Sequence, residues 1–274
     1  PQNLFRILKF QQDAEKAGVK PIFSRHIWIK NEALPDKPHR LILLSQNQIG
    51  LQNLMALVSR SYTEGLQDGI PQLTRAWIRE QHQGLIAIAN AEDGDIAEAL
   101  LNDNQALAKT RLRDWQQVFG DRFYLEITRT GKAFEHRLIP LLCTFAADTD
   151  CPLAATNAVR FLAHEDFDAH EARVCIYQGQ TLHDERRPRL YTEQQYLRSP
   201  AEMQSLFADI PSAIQNAIEI GRRCTAQLNL GQVFLPIYPI PTEESPETFL
   251  SSMATVGLRE RFATAEAVPP AYLS

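Results

Sequence analysis

Apolar positions recur along this chain with two alternating periods. Over residues 3–17, Leu4, Ile7, Leu8 and Phe10 fall on one side of a helical projection, charges take the other, and Gly18 stands where the helix ends. Residues 20–30, with Ile22, Phe23, Ile27, Trp28 and Ile29, read as a strand. The polar stretch 31–39 holds Pro35 and Pro38 and reads as a loop. Residues 41–44 form a short unbroken apolar run, the mark of a buried parallel strand. An amphipathic helix follows over 51–62, through Leu51, Leu54, Met55, Val58 and Tyr62. The alternation then predicts strands over 85–89, 123–127 and 152–155, and helices over 96–101, 106–119, 138–147 and 166–177. Past residue 180 the pattern changes. Helices are expected over 199–207 and 211–228 with no strand between them, then a proline-rich stretch over 234–242 and a further helix over 247–262. Alternating elements across the first 180 residues predict an α/β unit with a largely parallel sheet, followed by a helical continuation. Neither an internal repeat nor a low-complexity tract is present.

Composition narrows the function classes. The chain has 274 residues, 28 basic and 33 acidic, for a net charge of -5, so a nucleic-acid partner would need a local basic patch. Cys143, Cys151, Cys175 and Cys224 are dispersed, with no C-x-x-C pair, which suits free thiols in a reducing cytosol. Apolar runs stay short of the roughly 20 residues that span a membrane, and no signal-peptide pattern opens the chain, so no membrane partner and a cytoplasmic location are expected. The chain starts at Pro1 rather than at a methionine, which suggests a truncated or processed start.

Candidate chemistry is sparse. The seven histidines His26, His39, His82, His136, His164, His170 and His183 are scattered, without H-x-H or H-E-x-x-H, so surface or capping roles are favoured over a metal centre. Asp166 and Asp168, one residue apart, would share a face of a strand as metal-binding aspartates do; here they precede a helical stretch and suit its N-terminus better. The run Arg186-Arg187-Pro188-Arg189 could touch phosphates, but a solvated loop, or pairing with local acids such as Asp184 and Glu185, is the simpler reading. Isolated glycines make no phosphate-binding loop, and a nucleophile elbow is absent. From the residues alone the picture stops at a cytosolic α/β domain with no assembled active site.

An ordered set of segments adds to that picture. Gly18-Val19-Lys20-Pro21-Ile22 is followed by Leu43-Leu44, Gly50-Leu51-Gln52-Asn53-Leu54, Phe123-Tyr124-Leu125-Glu126 and Arg129-Thr130-Gly131. Then come Ala155-Thr156-Asn157, Val159-Arg160-Phe161, Asp166-Phe167-Asp168-Ala169-His170-Glu171, Arg187-Pro188-Arg189, Tyr191, Gln195-Tyr196, Arg198-Ser199 and Phe234-Leu235-Pro236. Across nearly the whole chain, this set resembles the PHP-containing N-terminal region of the bacterial DNA polymerase III alpha-subunit family, proteobacterial type. The resemblance implies a distorted PHP-type β/α barrel of about seven strands over residues 1–198, its first strand missing. Residues 199–274 would form a helical connection toward the polymerase palm.

The resemblance also implies where metal ligands would stand, and most of those positions are altered. The acid after Lys-Pro-Ile corresponds to His26; a family histidine falls on Arg40; the histidine before Gly131 is Thr130; a late Asp-x-His pair is Ala158 and Arg160. Arginine offers no lone pair, and alanine offers no ligand at all. Arg160 is expected to pair with a carboxylate in place of a metal. His39, Asp166 and His170 are the candidates for a residual pocket. The resemblance thus implies a non-catalytic scaffold with no metal or other cofactor in this segment. Its parent polymerase would use Mg2+ and carry its catalytic aspartates beyond Ser274. Implied partners are the proofreading exonuclease subunit and, through the parent, the sliding clamp, the clamp loader and DNA. The alternative is a PHP-type metal-dependent phosphoesterase with residual activity.

Overall fold

The computed structural model describes residues 4–184, 186–233, 235–236, 238–240, 244–263, 269 and 272. They divide into two compact units, Pro1–Leu228 and Asn229–Ser274. The first holds helices α1 (Ile7–Lys16), α2 (Gln48–Thr63), α3 (Arg75–Glu80), α4 (Asp95–Leu101), α5 (Gln105–Phe119), α6 (Glu135–Thr149), α7 (Phe167–Gln178), α8 (Pro200–Leu206) and α9 (Pro211–Arg223). Its strands are β1 (Ser24–Ile29), β2 (His39–Ser45), β3 (Leu66–Gln67), β4 (Ile70–Leu73), β5 (Leu85–Ala89), β6 (Phe123–Thr128) and β7 (Leu153–Thr156). The second unit holds α10 (Pro246–Arg261), capped by the Ser245 hydroxyl, which accepts from the Thr248 N–H. Most of the proline-rich stretch 234–242 lies within the described residues; Phe234, Ile237, Pro241 and Thr242 lie outside them.

The seven strands run in the order β3-β4-β1-β2-β5-β6-β7. The expected parallel sheet is corrected to a mixed one: β1–β4, β5–β6 and β6–β7 are parallel, while β1–β2, β2–β5 and β3–β4 are antiparallel. For the β1–β2 and β3–β4 pairs the physical reason is loop length. A parallel return needs a crossover of about a dozen residues or more, whereas residues 30–38 are too few and form a hairpin. The β3–β4 hairpin was not anticipated, although its turn, Asp68 at φ 50° and Gly69 at φ 76°, carries the Asp-Gly signal of a type I′ turn. Among the described residues β3 and β7 are free edges, so the sheet is open and the expected barrel is not closed.

Alternation along the strands sorts the side chains into two layers. Ile27, Ile29, Leu41, Leu43, Leu85, Ala87, Phe123, Leu125, Ile127 and Leu153 face the main core, beneath α2, α4, α5 and α6. On the reverse face Ile42, Ile86, Ile88, Tyr124 and Ala154 meet Ile220 and Cys224 at the end of α9. That end of α9 is also tied to β6, where Arg223 donates to the Tyr124 hydroxyl at 2.9 Å. The reverse face is apolar under α9 and turns polar toward the C-terminal ends of the parallel strands β5, β6 and β7, the edge where α/β sheets place their ligands.

Candidate functional site

Strand parity decides which candidates meet. His26 pairs with Ile42 and Trp28 with Arg40 in the β1–β2 register, so His26, Trp28 and Arg40 share the reverse face. The Arg40 guanidinium lies 4.3 Å from the Trp28 ring centre and 3.2 Å from the Asp93 carboxylate, and Asp93 also accepts the Arg40 backbone N–H through its carbonyl. Beside this pair, Lys132 bonds Glu92. The cations therefore already occupy the two exposed-side acids of the β5–α4 loop. Burial raises the Asp93 pKa, opposed by the nearby charges of Arg40, Lys132 and Arg160.

His26 is exposed on β1, yet protein atoms surround its ring. Desolvation, followed by the positive charges of Arg40 and Arg160, pushes its pKa down to about 4. Imidazole at this position is neutral at pH 7 and faces cations rather than carboxylates.

One acid sits deeper. Glu126, on β6, is buried, and its oxygens accept from Asn90 Nδ2 at 2.7 Å, the Ala91 N–H at 2.8 Å and Thr156 Oγ1 at 2.6 Å. Desolvation raises its pKa against those three donors. The sequence reading missed it as a site residue. Its signal was available, a carboxylate within the otherwise apolar strand of Phe123–Thr128.

Of the other positions singled out in the sequence, Arg160 lies near enough to His26 and Asp93 for its charge to act on both, while Thr130 and Ala158 are held by local contacts. Thr130 donates its hydroxyl and its N–H to the buried Glu135, which also binds the Thr128 hydroxyl and the Gly131 N–H. Ala158 takes a left-handed φ of 42°, costly for a residue with a Cβ, and its carbonyl accepts from Gln195. Arg160 lies 5.3 Å from the Tyr191 ring centre. Its expected carboxylate partner is corrected: Arg40 makes that ion pair, and among the described residues Arg160 makes none.

The residual pocket of His39, Asp166 and His170 is likewise not assembled. His39 lies on the opposite face of β2 from Arg40, buried, with Nε2 2.8 Å from Glu98 of α4. Asp166 is exposed and stands at the N-terminus of α7, but its carboxylate makes no capping bond to that helix and instead accepts the Ala163 N–H at 2.9 Å across the preceding turn His164–Asp166. His170 is buried between Phe161 and Tyr191, at 5.4 and 4.7 Å between ring centres, with its pKa lowered by desolvation and then by Arg173. In the basic run, Arg186 pairs with Asp184, while Arg187 reaches the buried Glu171 of α7 at 2.5 Å. Among the described residues no three His, Cys, Asp or Glu side chains converge as a group that could hold a metal.

This geometry can bind cation to carboxylate within the domain, but among the described residues it offers no cluster of free donors. Residues 2–130 match the PHP domain family. Across 94% of its length the chain is similar to DNA polymerase III alpha subunits. It is 42% identical to that of Pseudomonas aeruginosa, and 40% identical to those of Vibrio cholerae and, over 95% of its length, Escherichia coli. The match covers the N-terminal region of those subunits, and the chain spans 22% of their length.

Proposed function

We propose that this chain is a non-catalytic PHP scaffold domain of a replicative DNA polymerase III alpha subunit, with residues 1–198 as the PHP domain and 199–274 as the connection toward the polymerase palm. In this reading it supports DNA-directed DNA synthesis in the cytoplasm and docks the proofreading exonuclease. Magnesium, the sliding clamp, the clamp loader and DNA belong to the parent protein. The observation that carries the reading is the reverse face itself. Arg40 and Lys132 neutralise Asp93 and Glu92 from within the protein, and Glu126 is consumed by three internal donors. A fixed guanidinium substitutes for a metal as counter-charge but cannot activate water, because it has no open coordination position.

The test is a metal titration of the purified protein with zinc and manganese, together with phosphatase and 3′-exonuclease assays in added manganese. Substoichiometric metal and no hydrolysis above the metal-free background are expected. Stoichiometric metal with metal-dependent hydrolysis abolished by Glu126→Gln would instead establish the residual phosphoesterase.

A further inference from the structure

A cavity of about 200 Å³ opens on the His39 side of the sheet, away from Arg40. It lies at the C-terminal ends of β1 and β4, neighbouring parallel strands, where Lys30 donates its N–H to the Leu73 carbonyl. That edge is where α/β sheets place ligands. Lys30, Thr74, Arg75 and Arg111 line the cavity, together with His39 and Glu32. The fold explains the gathering. Lys30 directly follows β1, Thr74 and Arg75 directly follow β4, and Arg111 reaches in from the middle of α5.

The wall of this cavity is rich in donors. Asp95, buried behind it, accepts from Arg75 and from Trp115 Nε1 at 3.0 Å. Glu98 lies 2.8 Å from His39 Nε2 and 3.4 Å from Arg111 Nη1. Neither acid lines the cavity, and together they offset two of its three cations. Among the described residues the third cation, Lys30, makes no ion pair, and Arg75 Nη1 is buried without a partner. Thr74 Oγ1 accepts the Trp77 N–H, which leaves its own proton to donate. The one carboxylate of the lining is Glu32, on the exposed loop after β1. Surplus donors with so few acceptors suit a negatively charged ligand with several acceptor oxygens. Donors that arrive from β1, β4 and α5 match a tetrahedral oxyanion, whose acceptors spread in three dimensions, better than a planar carboxylate. No Phe, Tyr or Trp ring lines the cavity to stack a nucleobase, so the phosphate group itself is what this wall recognises.

We propose that this cavity binds a phosphate group, either the free ion or a monoester of a small molecule. The site is independent of the reverse face and of the scaffold role. The experiment is calorimetric titration of the purified protein with inorganic phosphate and with glycerol phosphate, at an ionic strength held constant with sodium chloride. Variants are Lys30→Gln and Glu32→Gln, with thermal melting to check their folds. Both positions are exposed, so unchanged melting is expected. Saturable binding is expected in the wild type. Lys30→Gln should weaken it about tenfold, through loss of one charge-assisted hydrogen bond. Glu32→Gln should tighten it about threefold, through removal of a like charge at the rim. Tighter binding of glycerol phosphate identifies a monoester as the ligand, and tighter binding of inorganic phosphate identifies the free ion; either upholds the site. Absence of saturable binding overturns the proposal, and so does binding that Lys30→Gln leaves unchanged.

Discussion

Removing the Glu126 carboxylate should cost the fold far more than neutralising it. The side chain is buried and fills three hydrogen bonds that tie the ends of β5, β6 and β7 together. In Glu126→Ala, Thr156 can rotate its hydroxyl elsewhere, but the Ala91 N–H is fixed and the Asn90 amide is held by its other bond, to the Asp93 N–H. Two buried donors left unpaired cost about 1–3 kcal/mol each. Release of the buried charge offsets part of that, leaving a net loss of about 3 kcal/mol, a large share of the stability of a typical domain. Glu126→Gln preserves shape: its carbonyl oxygen can accept from Asn90 and Ala91, and its amide can donate to Thr156. Its loss should stay within about 1 kcal/mol at pH 7, as a volume-conserving exchange with partners kept. The pH dependence separates the two further. Burial raises the native pKa of Glu126 above its unfolded value, so the native state holds this proton more tightly. Its contribution to stability is therefore greatest with the group protonated and declines as pH rises through the raised native value. Glu126→Gln removes that decline. Urea unfolding followed by far-ultraviolet circular dichroism from pH 4 to 8 measures all of this. A Glu126→Ala variant within about 1 kcal/mol of wild type, or a Glu126→Gln variant as damaged as Glu126→Ala, would refute the reasoning.

Other expectations follow from single contacts. His26, with its pKa pushed down to about 4, binds its proton less tightly in the native state than in the unfolded one. Stability should therefore fall as pH drops from the ordinary histidine range toward 4, and His26→Gln should reduce that slope in the same unfolding assay. Gly50→Ala puts a Cβ 1.7 Å from the Gly84 carbonyl oxygen, a backbone clash that pushes α2 off β5; a loss at or above about 3 kcal/mol in urea unfolding is expected. Burial pushes the Cys151 and Cys224 thiols up to about 12 and about 11, so both should resist a thiol-labelling reagent at pH 8 in the native protein and react on unfolding.

The periodic signals were strong enough to place most helices and the strands over 85–89, 123–127 and 152–155, because one face of each helix and alternate residues of each strand must be buried. The short β3–β4 hairpin escaped because its strands are too brief to show a period, though Asp68-Gly69 announced its turn. The sequence also marked His26, Arg40, Thr130, Ala158 and Arg160 as altered positions, by resemblance rather than by pattern. It could not say which of His39 and Arg40 faces the altered site. The run Leu41-Ile42-Leu43-Leu44 is apolar on both sides, so its alternation is silent, and only the register with β1 set the parity. Nor could it pair Arg40 with Asp93, or Glu126 with Asn90 and Thr156, since those partners lie tens of residues apart in the chain. Residue chemistry alone determined that several positions cannot donate to a metal. Tertiary structure alone decided that the acids around them are already satisfied, because ion pairing depends on which strand ends the sheet order brings side by side.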